Sequence, residues 1–424
     1  TSFIQQKAFI LLMYWEENIP KNKNSIITSD SNTFKCPVKM FVYDLGFTNK
    51  TMKLKKGFHA DTIRKKNLYT IITSEMSMPS EHPWFILHKF ISSGQKHSHC
   101  TVNEAKDADF LILPLYDQNS AETDRVVHML EHSEFNNTLF RRGQKDHILL
   151  NFHNTKKGWR MTLGLKNRTK ELITPMIKVL ADLFGWGIKF EHRKRTDLAE
   201  INFDRLMTVP YASHIREYVG DIHEHRPYLV SFMGNGIYPL YRKKIVQQCR
   251  AAMVDLARGD CFLAETNRSK RSIGFDSMYA NSTFFFSPGG DTGPRKGLFD
   301  GIALNSIPVI FEETTLDVTY PANFPGNPRD YSIFLNSSSD DFMGQLRNIS
   351  SSRIVELQNN IARVRDSVAY LPDADAYDAT WVMMKQLEQY KLNGYKFIDR
   401  FPNKTTLYCV DKDEEFHGEC RFLK

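Results

Sequence analysis

Residues 284–311 read FFFSPGGDTGPRKGLFDGIALNSIPVIF, and no other stretch restricts the fold as much. Three consecutive phenylalanines followed by Ser-Pro-Gly-Gly form a short apolar run ending in a turn, which suits a buried strand and is too short for a helix. An uninterrupted apolar run, rather than an alternating one, belongs to a parallel sheet covered on both faces. The next residues predict a helix. Asp291 or Thr292 can cap it, Pro294 fits its first position, and Arg295 and Lys296 fall in its first turns. The helix is expected to end near Asn305, and Ile307 to Phe311 is a second strand, in which Pro308 is tolerable only at the start or on an edge. Strand, glycine loop, helix and strand make one βαβ unit, which places a ligand beyond the carboxyl ends of its strands, facing a helix N-terminus.

A second βα pattern lies upstream. Tyr228 to Phe232 reads as a strand, Gly234-Asn235-Gly236 as a turn, and Tyr238 to Arg258 as a helix with Ile245, Val246, Cys249, Ala252, Met253 and Leu256 on one face. Glycines there let the backbone approach a pyrophosphate, and Arg242 can pair with its charge. In the N-terminal half, helices are expected from Pro83 to Phe90, from Thr123 to Phe135 and from about Lys170 to Phe184, with no internal repeat. The polar segment between Arg216 and Arg226 reads as a boundary between two α/β lobes.

The aromatic strand, the Pro-Gly-Gly-Asp turn, the basic pair, Phe299-Asp300 and Ile307-Pro308-Val309 together resemble the signature of the exostosin-like glycosyltransferase family 47. The basic pair stands five and four residues before Asp300, a spacing similar to the family's plant xyloglucan galactosyltransferase branch. Other segments resemble the family in order: Lys39 to Leu45, Ala108 to Tyr116, Asp146 to Asn151, Val209 to Tyr211 and Arg226 to Gly234. Two positions depart from the family's habit. Asn305-Ser306 stand where Gly-Cys is common, and Gly293-Pro294 where a hydroxyl residue is common.

The resemblance implies a GT-B fold, two Rossmann-like lobes facing a cleft, and inverting transfer of a sugar from a UDP-sugar to a glycan or polysaccharide acceptor. It divides the chain into a stem or lead-in segment (residues 1–35), an acceptor-side lobe (36–222), a nucleotide-sugar lobe (223–390) and a tail packing back on the lobes (391–424). Gly234, Arg242, Ser287 and Gly290 are then expected at the donor, with Arg295 and Lys296 on its diphosphate. Asp300 is expected to accept hydrogen bonds from ribose hydroxyls. Glu312 and Glu313 follow a strand end, so that one of them reaches the donor sugar. The general base that deprotonates the acceptor is Asp117 or His153, each just beyond a predicted strand. Galactose is the first donor sugar to test.

No cofactor beyond the UDP-sugar substrate is expected, and no metal. Asp107-Ala108-Asp109 imitates an Asp-x-Asp metal motif, yet it stands at the start of a strand, opposite the ligand end, where a turn cap or solvated pair is favoured. The net charge of +7 and pI near 8.9 fit a mildly basic surface. No basic stretch is interleaved with aromatics as nucleic-acid binding requires. A glycan-binding partner subunit without turnover is the alternative function, against which the intact Arg295 and Asp300 speak. A phosphorylase would need a cofactor-binding lysine motif that the chain does not display.

Six cysteines, at 36, 100, 249, 261, 409 and 420, lack metal-binding spacing. They read as disulfides, with Cys249–Cys261 and Cys409–Cys420 the sequence-local pairs. Eight sequons begin at Asn49, Asn136, Asn167, Asn267, Asn281, Asn336, Asn348 and Asn403. Chance alone gives about three, so the excess points to an oxidising lumen and N-glycosylation. Asn281, beside the aromatic strand, is expected to be too buried for a glycan. The apolar stretch from Ala8 to Trp15 is far short of a membrane span. The resemblance implies a type II Golgi protein whose anchor is absent from this chain, possessing homo- or hetero-oligomeric partners; as a plain sequence, Phe3 to Trp15 reads equally as an amphipathic helix.

Overall fold

A computed structural model of the chain describes residues 36–43, 99–113, 136–150, 175–180, 206–211, 225–234, 240–253, 260–265, 275–289, 294–311, 327–370 and 378–395, two strands near the C-terminus, and scattered positions between these. The chain divides into two compact α/β units. One comprises Cys36–Arg216 with Ala369–Lys424, and the other Glu217–Val368.

The first unit is built on a parallel sheet of β1 (Met40–Val42), β2 (Phe110–Leu113), β3 (His147–Leu150), β4 (Ile177–Leu180) and β5 (Leu206–Thr208), adjacent in that order. A short helix, α1 (Asn136–Leu139), precedes β3. Every residue of β2 and β3 is buried, the pattern of strands covered on both faces. β4 corrects the helix expected from Lys170 to Phe184. The chain is helical at Glu171 and Leu172, but the strand takes over at Ile177. Pro175 interrupts helical hydrogen bonding, and the β-branched Ile177 and Val179 pack better on a pleated surface. At the other expected helices, Ile86, Lys89 and Phe90, and Asp124, Val127, His128 and Leu130, are helical.

At this sheet's amino edge, the Asp109 carboxylate caps no local turn and is instead tied to two residues distant in sequence. Its Oδ2 accepts the Lys39 amide at 2.8 Å, and its Oδ1 meets Lys391 Nζ at 2.5 Å. A fully buried chain of hydrogen bonds links Tyr43 Oη to His147 Nε2 (2.8 Å) and His147 Nδ1 to Asp146 Oδ1 (2.9 Å). It fastens β1 to β3 across β2.

The second unit contains β6 (Tyr228–Gly234), α2 (Leu240–Met253), β7 (Cys261–Glu265), α3 (Phe275–Ala280), β8 (Ser282–Ser287), α4 (Lys296–Ala303), β9 (Ile307–Ile310), β10 (Ile333–Phe334), α5 (Phe342–Arg347) and α6 (Ser351–Val364). Its strands are all parallel and lie in the order β10-β9-β8-β6-β7. The chain therefore moves one way from β6 to β7, then crosses back and moves the other way through β8, β9 and β10. Right-handed crossovers taken in opposite directions place α2 and α4 on opposite faces of the sheet. Phe284, Phe285 and Phe286, none more than 4% exposed, fill both faces of the central strand β8. Pro308 sits opposite Phe285 of β8, while pairing with β10 starts one residue later at Val309. Its missing N–H thus falls where β10 does not reach.

A disulfide joins Cys249 of α2 to Cys261 of β7, as the sequence-local pairing expects, and a second joins Cys36 to Cys100 in the first unit. Arg226, at the foot of β6, donates to the carbonyls of Tyr279 (3.1 Å), Ser282 (3.0 Å) and Leu304 (2.9 Å). One guanidinium thereby closes the ends of α3 and α4 against the start of β8, where cations also suit the helix dipoles.

The last long helix, α7 (Ala379–Leu392), is grouped with the first unit, which corrects the boundary expected at residue 390. Asp378 caps α7 by accepting from the Thr380 and Trp381 amides, and its other oxygen pairs with the buried Lys89 at 2.9 Å. Tyr390 donates to Lys145 O at 3.0 Å and Tyr370 to Pro210 O at 2.9 Å. The lobe boundary correspondingly falls between Arg216 and Glu217, six residues before the expected position. β11 (Leu407–Asp411) and β12 (Gly418–Phe422) form an antiparallel hairpin that sets Cys409 directly opposite Cys420.

Candidate functional site

In an open parallel sheet, the crevice for a ligand opens at the carboxyl ends of the two strands between which the order reverses. In the second unit those strands are β6 and β8. β6 ends on Gly234 and β8 on Ser287, so two of the sequence-predicted donor residues terminate the two switch-point strands. A Cβ on Gly234 would lie 3.1 Å from the Phe232 ring, a tight contact that favours glycine there.

Beyond Ser287 the chain turns through Pro288 and Gly289, and Arg242 holds that turn. Its Nη2 donates to Pro288 O at 3.2 Å and to Gly289 O at 2.6 Å, with the side chain only 1% exposed. Arg242 was expected to pair with the diphosphate; its terminal nitrogen is instead directed at the glycine loop's carbonyls. It is the link between α2 on one face of the sheet and the loop that leads to α4 on the other.

α4 begins at Lys296 and not at Pro294, because Arg295 retains extended backbone (φ −138°, ψ 159°) and forms the N-cap without a side-chain capping bond. Arg295 and Lys296 therefore put two cations at a helix N-terminus, the end that favours anions. Each such placement costs roughly 0.3–1 kcal/mol when no anion is present. A bound anion reverses that sign, and the first-turn N–H groups add donors.

Lys296 Nζ donates to both oxygens of Asp300, at 2.9 and 2.6 Å. Asp300 is 3% exposed. Beneath the pair lies Tyr279, whose phenol is pushed above its ordinary pKa by burial first and by the Asp300 carboxylate second, with Arg295 acting in the opposite sense. Two glycines one helical turn apart let α4 come this close. A Cβ on Gly297 would meet Tyr279 Oη at 2.6 Å, and one on Gly301 would meet the Phe285 ring at 2.5 Å. Tyr279, Gly297 and Gly301 were not among the residues singled out from the sequence. Their signal was present as a Gly-x-x-x-Gly spacing within a short helix.

At its other end α4 stops by a Schellman turn. Asn305 takes the left-handed conformation (φ 56°), its N–H bonds Ile302 O at 2.9 Å, and the Ser306 N–H bonds Gly301 O at 3.0 Å. Asparagine is the best non-glycine residue for that conformation. Ser306 Oγ donates to Ser282 O at 2.9 Å. The departure at Asn305-Ser306 is thus compatible with the same turn that glycine would make.

Gly290, Asp291, Thr292, Glu312 and Glu313 lie outside the described residues, as do both proposed bases, Asp117 and His153. Among the described residues no cluster of metal-ligating side chains occurs, and no helix is long and apolar enough to cross a membrane. Asn281 is exposed at the turn before β8, contrary to the expectation that it is too buried; only its backbone enters the sheet's ladder, as acceptor for Tyr228 N. Asn336 and Asn348 are exposed as well.

The Exostosin GT47 domain matches residues 36–340 of the chain. Probable xyloglucan galactosyltransferase GT15 of Arabidopsis thaliana is 26% identical over 196 residues, which are 40% of this chain and 40% of that protein. Probable xyloglucan galactosyltransferase GT17 from the same plant is 21% identical over 378 residues, 79% of this chain and 80% of its own. Xyloglucan-specific galacturonosyltransferase 1, also of Arabidopsis, is 30% identical over 111 residues, covering 26% of this chain and 16% of that protein. For two of these three relatives, therefore, the match spans less than half of their length. Among solved structures, the GtfA/B complex aligns with a TM-score of 0.36 and 12% identity over 63% of this chain and 61% of that one.

Proposed function

Because this chain belongs to the exostosin GT47 family, we propose that it transfers a sugar from a UDP-sugar to a glycan or polysaccharide acceptor, with inversion and without a metal. The observation that carries this reading is the convergence at one strand-order reversal of a glycine turn, a helix N-terminus and two cations, Arg295 and Lys296. As the bond from the anomeric carbon to the diphosphate breaks, negative charge grows on the leaving UDP. Preplaced cations and N–H groups stabilise that charge more than they stabilise the intact donor. Arg295 is the diphosphate clamp in this reading, since its planar fork matches two phosphate oxygens, and the cationic pair takes the part that a divalent ion plays elsewhere.

The acceptor hydroxyl attacks the anomeric carbon from the face opposite UDP and gives its proton to a carboxylate or imidazole. Asp117 and His153, four residues beyond β2 and three beyond β3 in sequence, are the proposed bases. Glu312 or Glu313, following β9, is proposed to reach the donor sugar. Galactose is the first donor, supported by the relatives named xyloglucan galactosyltransferases. The two disulfides and the exposed sequons at Asn281, Asn336 and Asn348 support a glycosylated protein of an oxidising lumen such as the Golgi. Assembly with a second transferase chain is part of the same proposal.

A panel of UDP-sugars, with UDP-galactose and UDP-galacturonic acid first, tests the reading by UDP release with and without xyloglucan-type acceptors. UDP release from one donor, undiminished by EDTA and lowered at least tenfold in Arg295→Ala, is the expected result. Near-normal turnover in Arg295→Ala removes the clamp assignment. Activity lost to EDTA and restored by a divalent ion removes metal independence.

A further inference from the structure

Asp300 was expected to bind ribose, but its surroundings suit a different task. Both of its oxygens are taken up by Lys296 at 2.6 and 2.9 Å, and it is 3% exposed. A ribose diol would have to compete with two charge-assisted bonds already in place, at a carboxylate almost closed to solvent.

Helix stability accounts poorly for the pair: an i,i+4 pair supports a helix better when the acid precedes the base, and here lysine precedes aspartate. Lysine at the first helical position is also the wrong sign for the macrodipole. What the pair does accomplish is conformational. A lysine side chain is rich in rotamer freedom, and a nearly buried carboxylate gripping it with two bonds removes much of that freedom before any ligand arrives. Tyr279 packs beneath this turn of α4, where a Cβ at position 297 would meet its Oη at 2.6 Å.

We infer that Asp300 is a positioning residue: it holds Lys296 beside Arg295 in the arrangement that meets the donor's diphosphate, and it acts on the nucleotide through Lys296 rather than by contact with the ribose. This rests on the UDP-sugar reading above and adds to it a division of labour within one helical turn. Asp300 orients a cation, and the cation binds.

The two roles for Asp300 differ in how its loss combines with the loss of Lys296. Calorimetric affinities for UDP and for uridine would be measured on wild type, Lys296→Met, Asp300→Asn, the double variant and Lys296→Arg. Positioning predicts that each single variant weakens UDP binding about tenfold and that the double variant is no worse than either, because residues acting through one contact are not additive. Uridine, which lacks phosphate, is bound equally by all five proteins. Lys296→Arg, able to fork onto Asp300, keeps most of the affinity for UDP.

A double variant weakened by about the product of the single losses, roughly a hundredfold, overturns the inference in favour of separate contacts. Loss of uridine affinity in Asp300→Asn does the same in favour of ribose binding. Should Asp300→Asn melt below the assay temperature, Asp300→Glu serves, since the added methylene displaces the ammonium while preserving charge; normal UDP affinity in that variant overturns the inference. Failure of the wild type to bind UDP at all refutes the donor reading itself and this inference with it. The uridine and double-variant outcomes refute the inference alone.

Discussion

Replacing Gly301 with alanine separates helix propensity from packing, because the two effects have opposite signs at this position. In an exposed helix interior, glycine to alanine stabilises by about 1 kcal/mol. Gly301 is buried, and its added Cβ would meet three atoms of the Phe285 ring at 2.5, 2.5 and 2.8 Å. Relaxed carbon contacts lie near 3.5–4.0 Å, so about 1 Å of relief is needed. Phe285 cannot readily supply it, since it is 1% exposed, sits in the central strand β8 and packs edge-on against Tyr279 at 5.2 Å between ring centroids. Forcing a methyl group into a filled core costs about 1–3 kcal/mol. Subtracting the propensity gain leaves a net destabilisation of roughly 0–2 kcal/mol. For a unit of this size that lowers the melting midpoint by up to about 8 °C. Scanning calorimetry and urea denaturation of the Gly301→Ala protein provide the measurement. A midpoint raised by a degree or more would mean that propensity prevails, and the account of why α4 lies so close to β8 would be wrong.

Three further outcomes follow from the same region. Arg242→Met removes the donors to the Pro288 and Gly289 carbonyls; leaving two buried acceptors unsatisfied costs about 1–3 kcal/mol, and UDP affinity should fall with the loosened loop, whereas intact affinity by calorimetry contradicts the anchoring role. Asn305→Gly should change stability by less than about 1 kcal/mol in the stabilising direction, while Asn305→Ala should cost about 1 kcal/mol, both read from urea midpoints, since only the left-handed turn distinguishes them. Burial raises the phenol pKa values of Tyr279, Tyr331 and Tyr370 above the usual 10 or so. The unfolded chain then releases these protons first, so the contribution of these tyrosines to stability is constant below pH ~10 and is lost as pH rises beyond it, and Tyr279→Phe should make the fall shallower in pH-dependent unfolding.

Much of the second unit was legible because its local signals agree with its tertiary role. The triple phenylalanine of β8 can only be a strand buried on both faces, and the glycine turn after it must end that strand. The first unit shows where such reading fails. Residues 170–184 carry apolar residues at helical and at strand spacing alike, and the choice was made by Pro175 and by the open ladder between β3 and β5, a non-local demand. The assignment of α7 to the first unit was likewise invisible. It depends on Lys89 and Asp378, far apart in sequence and paired at 2.9 Å in a dry environment, and a charge that will be buried looks the same in sequence as one that will be solvated.

The same distinction explains the donor site. Arg295, Lys296 and Asp300 stood out through the family resemblance of their motif, which implies a ribose for Asp300, while its geometry gives it Lys296. Periodicity reveals which residues share a face of α4; it does not reveal how near that face comes to its neighbours. That distance is set by Gly297 and Gly301, which share the four-residue interval of Lys296 and Asp300 and are offset from them by one position, hence by about 100° around the helix. One stripe of α4 therefore lies against Tyr279 and Phe285 while the adjacent stripe carries the ion pair. A side chain at either glycine would move the ion pair away from the strand ends, so the packing face and the charged face cannot be varied independently. The consequence is measurable as coupling: Gly297→Ala, which touches no ligand in this scheme, should weaken UDP binding through the displacement of Lys296, and should do so far less in a Lys296→Met background.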